Sequence, residues 1–474
     1  MNYSRNKNDK MLNVFTLSSF IIAFALPFVF FTFTGASRVK TASAYRRPVP
    51  ASMSIKQAFA YALKYNKIIK LEEIKLNSAG YSVDEAASGF FPKVDFNEIY
   101  MNTDNPLYAF GNVLNQKILT DQNVQSYFSP NFLNNPGMTH NYESEFSVKQ
   151  PIFMGGKIYF GYERAVLHKK AAGKNLSEAK QKVLYNVAKS YYGAMLARQY
   201  ARLMKSMVKT AAAYKTLSEN LFKAGQVVSS DVLRAKVELA SMKEKLSSAK
   251  KNYKLARYFL NITIGIPISS KYVLKSKLKK SPYKKPLSID GLQKTAFQKR
   301  PDYQALLLNE KNMGIGINEA EGKFLPKIVA GYDYFGNGPA IHPDGSYGYA
   351  LTVMLRFNIF SGLYDYNNLQ KSKSNYNSMM EYKGLLRNKI EMQVRKAYLQ
   401  YKTDLLNENV ARLAALNAKQ TLKITVNRYK AGMTALINLD RTLDEYKKAK
   451  VGYLNTLYKL NTGKFFIKLV AGTL

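Results

Sequence analysis

The clearest pattern of apolar and polar positions in the chain is a strict alternation between residues 347 and 358. The odd-numbered positions are large and apolar, whereas the even-numbered positions, apart from Met354, are small or polar. A period of two predicts a β-strand whose two faces meet different environments. The predicted apolar face consists of Tyr347, Tyr349, Leu351, Val353, Leu355 and Phe357. Less regular alternation predicts three more strands, at residues 93–100, 142–150 and 327–334.

A second pattern predicts unusually long helices. No proline occurs between residues 157 and 223, and beyond them apolar residues recur at alternating spacings of three and four. The members of this seam are Val232, Ala235, Leu239, Met242, Leu246, Ala249, Tyr253, Ala256 and Leu260. Such a heptad seam makes helices supercoil on their neighbours, and a helix of about 60 residues is about 90 Å long. A plain coiled coil explains the helices but leaves the strands unexplained.

The same order of elements occurs twice in the chain. Residues 54–93 align without a gap with residues 288–327, and residues 151–265 align with residues 358–472. We therefore predict a first repeat at 54–265, a linker at 266–287 and a second repeat at 288–472, each with a helix, two strands and a long helix pair. The first repeat is 27 residues longer than the second.

The extra residues fall in the loop between the first two predicted strands, at about residues 102–141. Its counterpart in the second repeat, at about residues 336–346, is short and rich in glycine and proline. In membrane barrels the longer loops usually lie on the external side. We therefore predict that this insert is an external loop.

Proline and glycine mark the ends of the predicted helices. Ser54 is suited to cap a helix that continues to about residue 87, before Pro92 stops it. Each long helix pair turns at a Lys-Ala-Gly sequence, at residues 223–225 and 430–432, where glycine supplies a left-handed conformation. The polar residues 229–231 after the first turn are suited to cap the next helix.

The N-terminus has the pattern of an export signal. A basic segment precedes an apolar run at about residues 11–33, and Ala42-Ser43-Ala44 resembles a cleavage site. We predict a signal peptide at residues 1–44, without fixing the cleavage site. The run is also long enough to span a membrane as an uncleaved helix, so that alternative stays open.

Composition excludes several classes of function. The chain has no cysteine and only three histidines, so we expect no metal or cofactor site. No catalytic motif occurs, so we predict that the protein is not an enzyme. The formal charge is +39, but the 71 basic residues are spread over the chain instead of forming one patch, which argues against nucleic-acid binding.

Four strands cannot close a membrane barrel alone. Each predicted strand has about the 9–11 residues that cross a bilayer at a tilt, and the tyrosine-rich face is suited to lipid. Single-chain barrels begin at eight strands, and an open sheet edge cannot lie in lipid. If the strands are in a membrane, several chains must share one barrel.

The order and spacing of the motifs resemble those of the TolC-like outer membrane efflux proteins. The resemblance covers the chain from about Ser54 onward. Its marks are the paired repeats with Phe-Phe-Pro at 90–92 and Phe-Leu-Pro at 324–326, Gln-Pro-Ile-Phe-Met-Gly-Gly at 150–156, Asn-Ile-Phe-Ser-Gly at 358–362, and the two Lys-Ala-Gly turns.

This resemblance implies an α+β membrane protein. Three chains, with four strands each, would form a 12-stranded β-barrel continued by a long α-helical coiled-coil tube in the periplasm. It implies a passive exit duct in the outer membrane, with partners that include two further copies of the chain, membrane lipid, a periplasmic adaptor and an inner-membrane pump. The pump would be proton-driven or of the ABC type, for efflux or for type I secretion.

The resemblance also implies that adaptors dock at the tips of the helix pairs. The tip residues here are Ala224, Gly225, Gln226, Ala431, Gly432 and Met433. Family members often carry a Val-Gly-Leu-like triplet at these positions, so the class of adaptor stays open, as does the cargo. The competing hypothesis is a coiled-coil envelope protein without transport activity, held by an uncleaved N-terminal helix.

Overall fold

The computed structural model describes residues 49–275, 278–280, 288–341 and 346–474. The predicted signal peptide lies outside these ranges, as do residues 276–277 and 281–287 of the predicted linker. The described residues belong to one structural unit.

The first half of the chain contains two β-strands of the main sheet, two long helices and several shorter elements. In chain order these are β1 (Ser52–Met53), α1 (Ile55–Tyr65), α2 (Lys67–Ser88), β2 (Lys93–Thr103), α3 (Pro106–Asn115), α4 (Val124–Tyr127), α5 (Pro130–Asn134), β3 (Thr139–Met154), α6 (Lys157–Lys223) and α7 (Ser229–Thr263). Helix α6 has 67 residues and is therefore about 100 Å long.

The second half repeats this order without the insert. Its elements are β4 (Val273–Leu274), α8 (Ile289–Lys299), α9 (Pro301–Glu321), a 3-10 turn (Gly322–Phe324), β5 (Lys327–Gly338), β6 (Tyr347–Arg356), α10 (Tyr364–Lys430) and α11 (Leu436–Val470). Helices α6 and α10 both have 67 residues, and helices α7 and α11 both have 35. The repeat in the sequence is therefore also a repeat of structure.

The four predicted strands form one antiparallel sheet in the order β2-β3-β5-β6. The pairing of β3 with β5 joins the two halves of the chain and contains a bulge between Pro151 and Phe153. Strands β1 and β4 form a separate two-stranded parallel sheet. Strand β6 ends at Arg356, two residues before the predicted end, so Phe357 lies just beyond it.

Glycine allows the chain to turn sharply from the main sheet into the long helices. Gly155 precedes α6 with φ +61°, and its counterpart Gly362 precedes α10 with φ +62°. A side chain at Gly155 would also collide with the backbone oxygen of Gly322, because its β-carbon would lie 2.1 Å from that atom. Both repeats therefore depend on glycine where the sheet meets the helices.

The predicted single helix from Ser54 to about residue 87 was wrong in one respect, because Asn66 divides it. Ser54 caps α1 as predicted, in a capping box with Gln57. Asn66 then has extended backbone, and its side chain accepts from the amide groups of Ile68 and Ile69 to start α2. Its amide nitrogen also donates to the carbonyl of Thr263 at 2.7 Å, which fixes the break against the end of α7.

The heptad seam of α7 faces inward, as the spacing predicts. Five seam residues are buried and the other four are half-buried. The middle of the seam, from Ala235 to Ala249, belongs to an apolar cluster with Met204 and Met207 of α6 and with residues of α10 and α11. The end of the seam, from Tyr253 to Leu260, belongs to a second apolar cluster. Burial of one such side chain contributes about 1.5–3 kcal/mol, so this long seam is a main source of stability.

The predicted cap at residues 229–231 was wrong. Helix α7 begins at Ser229, so these residues form its first turn, and the preceding Val228 has no side chain that can accept a hydrogen bond. Asp231 instead places a negative charge near the helix N-terminus, which is favourable for the helix dipole.

The 27-residue difference between the repeats lies where it was predicted, but the segment is not an irregular loop. Residues 104–138 connect β2 to β3 and contain α3, α4 and α5, whereas eight residues connect β5 to β6. Pro106 and Pro130 occupy the first turns of α3 and α5, where proline is tolerated. We call residues 104–138 the insert.

Candidate functional site

One face of the main sheet is mostly apolar, although it also carries Glu98, Ser144 and Gln150. The strand register places Phe96, Phe146, Tyr334 and Tyr349 side by side across the four strands. The next row consists of Val94, Val148, Tyr332 and Leu351. The odd-numbered residues of β6 from Tyr347 to Leu355 belong to this face, as predicted. One of them, Leu351, is 73% exposed. An apolar surface of this extent needs a partner other than water.

The opposite face of the sheet is polar. Its central row contains Asp95, Ser147 and Asp333, and Ser147 donates a hydrogen bond to Asp333. Lys93 and Lys149 pair with each other at the end near the helices. The two faces therefore suit different surroundings, and the polar face carries both signs of charge.

No helix within the described ranges is apolar over a length sufficient to cross a membrane. In the same ranges, no group of three or more acidic or histidine side chains is arranged to hold a metal ion.

In each layer of the molecule, the strands or helices form a row that does not close on itself, so each row has two free edges. In the sheet the ends are β2 and β6. In the helical layer next to the sheet, contacts run in the order α2, α6, α9, α10, and in the layer near the hairpin turns they run α7, α6, α11, α10. The first repeat thus supplies one edge through β2, α2 and α7, and the second supplies the other through β6 and α10.

Both helical edges expose apolar side chains in regular rows. On α10 these are Leu385, Met392, Leu399, Leu406 and Leu413, which recur every seven residues. On the other edge they are Ile68, Leu71 and Ile74 of α2 and Leu233, Val237, Leu255, Phe259 and Ile262 of α7. A seven-residue row is typical of a helix that packs against another helix. We call the row on α10 the outer seam.

An apolar groove of about 560 Å³ lies on the α2 and α7 edge. Its wall includes Ile68, Phe259 and Ile262, which are all exposed. The equivalent place in the second repeat lies between α9, α10 and α11, and its wall includes the corresponding residues Asp302, Phe466 and Leu469.

In the second repeat this place is partly filled by α6. Glu178, Gln181 and Lys182 of α6 line the remaining cavity of about 250 Å³, and Gln181 donates to the carbonyl of Gly472. The alignment of the repeats equates Glu178 with Leu385 and Gln181 with Asn388. Leu385 is 67% exposed at the α10 edge. Among the described residues of its own chain, it is therefore not enclosed in a groove as Glu178 is.

The predicted tips lie at the turns between the long helices. Gly225 and Gly432 have φ values of +68° and +70°, as predicted for these turns. In each turn the next residue, Gln226 or Met433, donates its backbone amide to a carbonyl five residues earlier. The six tip residues from the two turns are all exposed.

A buried hydrogen bond joins the two helix pairs close to the tips. The hydroxyl groups of Ser218 on α6 and Tyr429 on α10 lie 2.8 Å apart, and both residues are almost fully buried. The sequence offered no signal for this contact, because neither residue belongs to a recognisable motif.

An unfavourable charge also lies near this contact. Burial, together with the nearby carboxylates of Glu238 and Asp231, raises the pKa of Asp440 to about 6, although Arg234 acts in the opposite direction. The folded protein therefore holds this proton more tightly than the unfolded chain. As a result, Asp440 reduces stability progressively as the pH rises from about 4 to about 6.

Replacing Asp440 with asparagine removes this charge and is expected to stabilise the protein at pH 7.5. The expected gain is about 1–2 kcal/mol, because solvent screens a carboxylate that is only partly buried. The gain should disappear at pH 4, and urea unfolding of the detergent-solubilised protein at both pH values measures it. Asp444 is the matched control, since hydrogen bonds from Lys447 and Lys448 lower its pKa. Asp444→Asn should therefore lower stability at pH 7.5. An Asp440→Asn gain of the same size at both pH values would contradict the assignment.

Comparison with known proteins gives one family match. Residues 60–265 match the family model of the outer membrane efflux proteins. No curated protein sequence matches the chain.

Several solved structures share the fold at low sequence identity. The CmeC outer membrane channel of Campylobacter jejuni is 18% identical, with a TM-score of 0.76 over 88% of this chain and 85% of that chain. The outer membrane protein VceC of Vibrio cholerae is 14% identical, with a TM-score of 0.73 over 88% of this chain and 96% of that chain. The open MtrE outer membrane channel of Neisseria gonorrhoeae is 16% identical, with a TM-score of 0.73 over 89% of each chain. These matches confirm the predicted fold of the single chain, with four strands and long paired helices.

Proposed function

We propose, from the premise that this chain is a TolC-like outer membrane efflux protein, that three copies form the exit duct of a tripartite efflux pump or a type I secretion system. The family match over residues 60–265 and the fold shared with outer membrane channels support the coarser statement, an outer membrane efflux channel. The trimer, the adaptor and the pump are our proposals.

The observation that carries this proposal is the pair of open edges that runs through every layer. Pairing β6 of one copy with β2 of the next satisfies the backbone groups that both edge strands leave open. The same rotation brings the outer seam of α10 against the apolar rows of α2 and α7. One interface thus covers all the exposed rows, and three copies give 12 strands, which is within the range of closed membrane barrels.

The sheet also supports a place in the outer membrane. Strand β6 has 10 residues and a length of about 34 Å, which at a tilt of about 40° spans about 26 Å. This matches the apolar band of about 25 Å on bacterial outer membrane barrels. The apolar face of the sheet then meets lipid, and the polar face lines the duct. The long helices extend from the barrel into the periplasm.

The duct itself is proposed to be passive. The family is one of channels and not of enzymes, and energy would come from the pump in the inner membrane. The tips, about 100 Å from the sheet, are the part of the chain that an adaptor meets first. The competing hypothesis of a coiled-coil envelope protein without transport leaves the apolar face of the sheet without a function.

The repeat predicts where neighbouring copies touch. Within one chain, Glu178 and Gln181 fill the groove of the second repeat, and their equivalents are Leu385 and Asn388. We infer that Leu385 of one copy enters the groove lined by Ile68, Phe259 and Ile262 of the next copy. An apolar side chain in a mainly apolar groove agrees with this pairing, and within the chain the polar residues Glu178 and Gln181 meet a groove of mixed character that includes Arg300 and Asp302.

Cysteine cross-linking tests this interface without background, because the chain has no cysteine of its own. The variant with Leu385→Cys and Ile262→Cys is expected to form disulfide-linked dimers and trimers when membranes are oxidised. Non-reducing gel electrophoresis detects them. Cells producing the wild-type protein should also yield a heat-modifiable trimer in the outer membrane fraction.

The matched control is the equivalent pair within one chain, Glu178→Cys with Leu469→Cys. It should form a disulfide that leaves the chain monomeric on a denaturing gel. If the Leu385→Cys and Ile262→Cys variant stays monomeric while the control pair closes, the proposed trimer is wrong.

A further inference from the structure

The insert folds over one end of the main sheet. Helix α3 packs on β3 and β5, and its residues Ala109, Asn112 and Val113 are buried there. Residues three and four positions apart lie on one face of a helix, so this helix has a single face against the sheet. The insert is therefore held in place and does not extend away from the strands.

The contacts show which face of the sheet the insert covers. Asn112 donates to the hydroxyl of Thr139, and Gln116 donates to the side-chain oxygen of Asn141 at 3.1 Å. Asn141 in turn donates to the side chain of Asn337 at 2.6 Å. The register places Thr139, Asn141 and Asn337 on the polar face, because they alternate with the apolar residues of the same strands. Helix α3 thus lies on the polar side.

The insert also reaches across to the edge strand β6. Lys117 donates to the backbone carbonyl of Tyr347 at 2.6 Å, and Ser346 donates to the carbonyl of Gln116 at 2.6 Å. From β3 to β6 this distance covers two strand spacings, about 10 Å. The end of α3 is therefore anchored on both sides of β5.

The side of α3 that faces away from the sheet is apolar. The helical period places Leu107, Gly111 and Leu114 opposite the buried residues, and both leucines are exposed. Apolar residues that are held away from a core and toward a water-filled space require an explanation.

We propose that the insert forms the outer aperture of the duct, with Leu107 and Leu114 on its rim. This inference rests on the proposed function, since it requires the polar face to line the duct. The insert joins strands at the end opposite the long helices, so it lies at the exit. Three inserts then project inward from three sheets and narrow the mouth of the barrel.

An apolar rim has a definite physical effect. A narrow apolar constriction resists wetting and hydrated ions, but it lets small amphipathic solutes pass in contact with its side chains. The second repeat contributes only its short loop at this end. The asymmetry between the repeats therefore assigns the aperture to the first repeat alone.

A loop exchange within the chain tests the proposal. The insert, residues 104–138, is replaced with the eight-residue connection 339–346 of the second repeat. Purified trimers in planar bilayers are expected to show a single-channel conductance at least about twofold above that of the wild type. Cells that produce the variant should admit large antibiotics that the wild type excludes.

Point variants test the rim while the insert stays in place. The variant with Leu107→Ser and Leu114→Ser should also raise the conductance, because hydroxyl groups wet the constriction. Ile341→Ser is the matched control, since Ile341 is an exposed apolar residue of the short loop, and it should leave the conductance unchanged.

Each outcome decides the question. Assembled loop-exchange trimers with wild-type conductance would overturn the proposal. If the loop exchange prevents assembly, unchanged conductance in the leucine double variant overturns it instead. Wild-type trimers that conduct no current would refute the exit duct itself, which is a different failure.

Discussion

Replacing Leu351 with arginine is expected to abolish assembly of the trimer in the outer membrane. Leu351 lies at the middle of β6, on the apolar face and next to Tyr332 of β5. An arginine on the lipid face of a barrel costs about 2–4 kcal/mol at the bilayer midplane, and a trimer carries it three times. The total cost of about 6–12 kcal/mol is comparable to the whole stability of a typical protein. Outer membrane fractionation and heat-modifiable trimers on gels measure the effect.

The neighbouring residue provides the matched control for this variant. Ala350 lies on the polar face directly opposite Asp333 of β5. An arginine at position 350 would lie in the duct beside that carboxylate, so Ala350→Arg should still assemble. Equal loss of trimers in both variants would show that the two faces have been assigned wrongly, because only the direction of the side chain differs.

The sheet was predictable because its residues carry a local signal. A strand between lipid and water must alternate, and the alternation at residues 347–358 is visible without any knowledge of its partners. The repeat predicted two strands in each half of the chain, but it did not predict that β3 pairs with β5 between the halves. The exact ends were less predictable, as Phe357 illustrates, because the ladder of hydrogen bonds stops where the chain turns toward α10.

The break at Asn66 was not predictable, because the apolar period continues across it. The hydrogen bond of Asn66 to Thr263 joins residues that are far apart in the sequence, and only the folded chain brings them together. The helices of the insert were missed for another reason. Asn-Pro and Ser-Pro pairs are typical of turns, but at Pro106 and Pro130 they start helices.

The proposed interface between copies depends on both the sequence alignment of the repeats and the contacts in the structure. The sequence alignment equates Leu385 with Glu178, but it does not say what Glu178 contacts. The structure shows that Glu178 lines a groove formed by the second repeat. Internal repetition then extends a contact within one chain to a contact between chains. Neither the sequence nor a single chain contains this contact alone.

Replacing Met433 with aspartate is expected to abolish export while the trimer remains intact. Met433 lies at the tip of the second helix pair and is 70% exposed, although its side chain is large and apolar. Burial of such a side chain against an adaptor contributes about 1.5–3 kcal/mol, and a trimer presents three such tips. Loss of about 1.5 kcal/mol at one tip weakens binding about tenfold. Ethidium accumulation in cells that carry the variant at its native locus measures export against a deletion strain.

The equivalent tip of the first repeat provides the comparison. Gln226 occupies the same position after Gly225, and its side chain is polar, so less apolar surface is lost when Gln226 is replaced with aspartate. We therefore expect Gln226→Asp to reduce export less than Met433→Asp. If Met433→Asp exports ethidium as the wild type does, adaptors do not bind this tip through Met433. Because the two tips share one backbone turn but differ in this side chain, the two aspartate variants separate the chemistry of docking from the geometry of the turn.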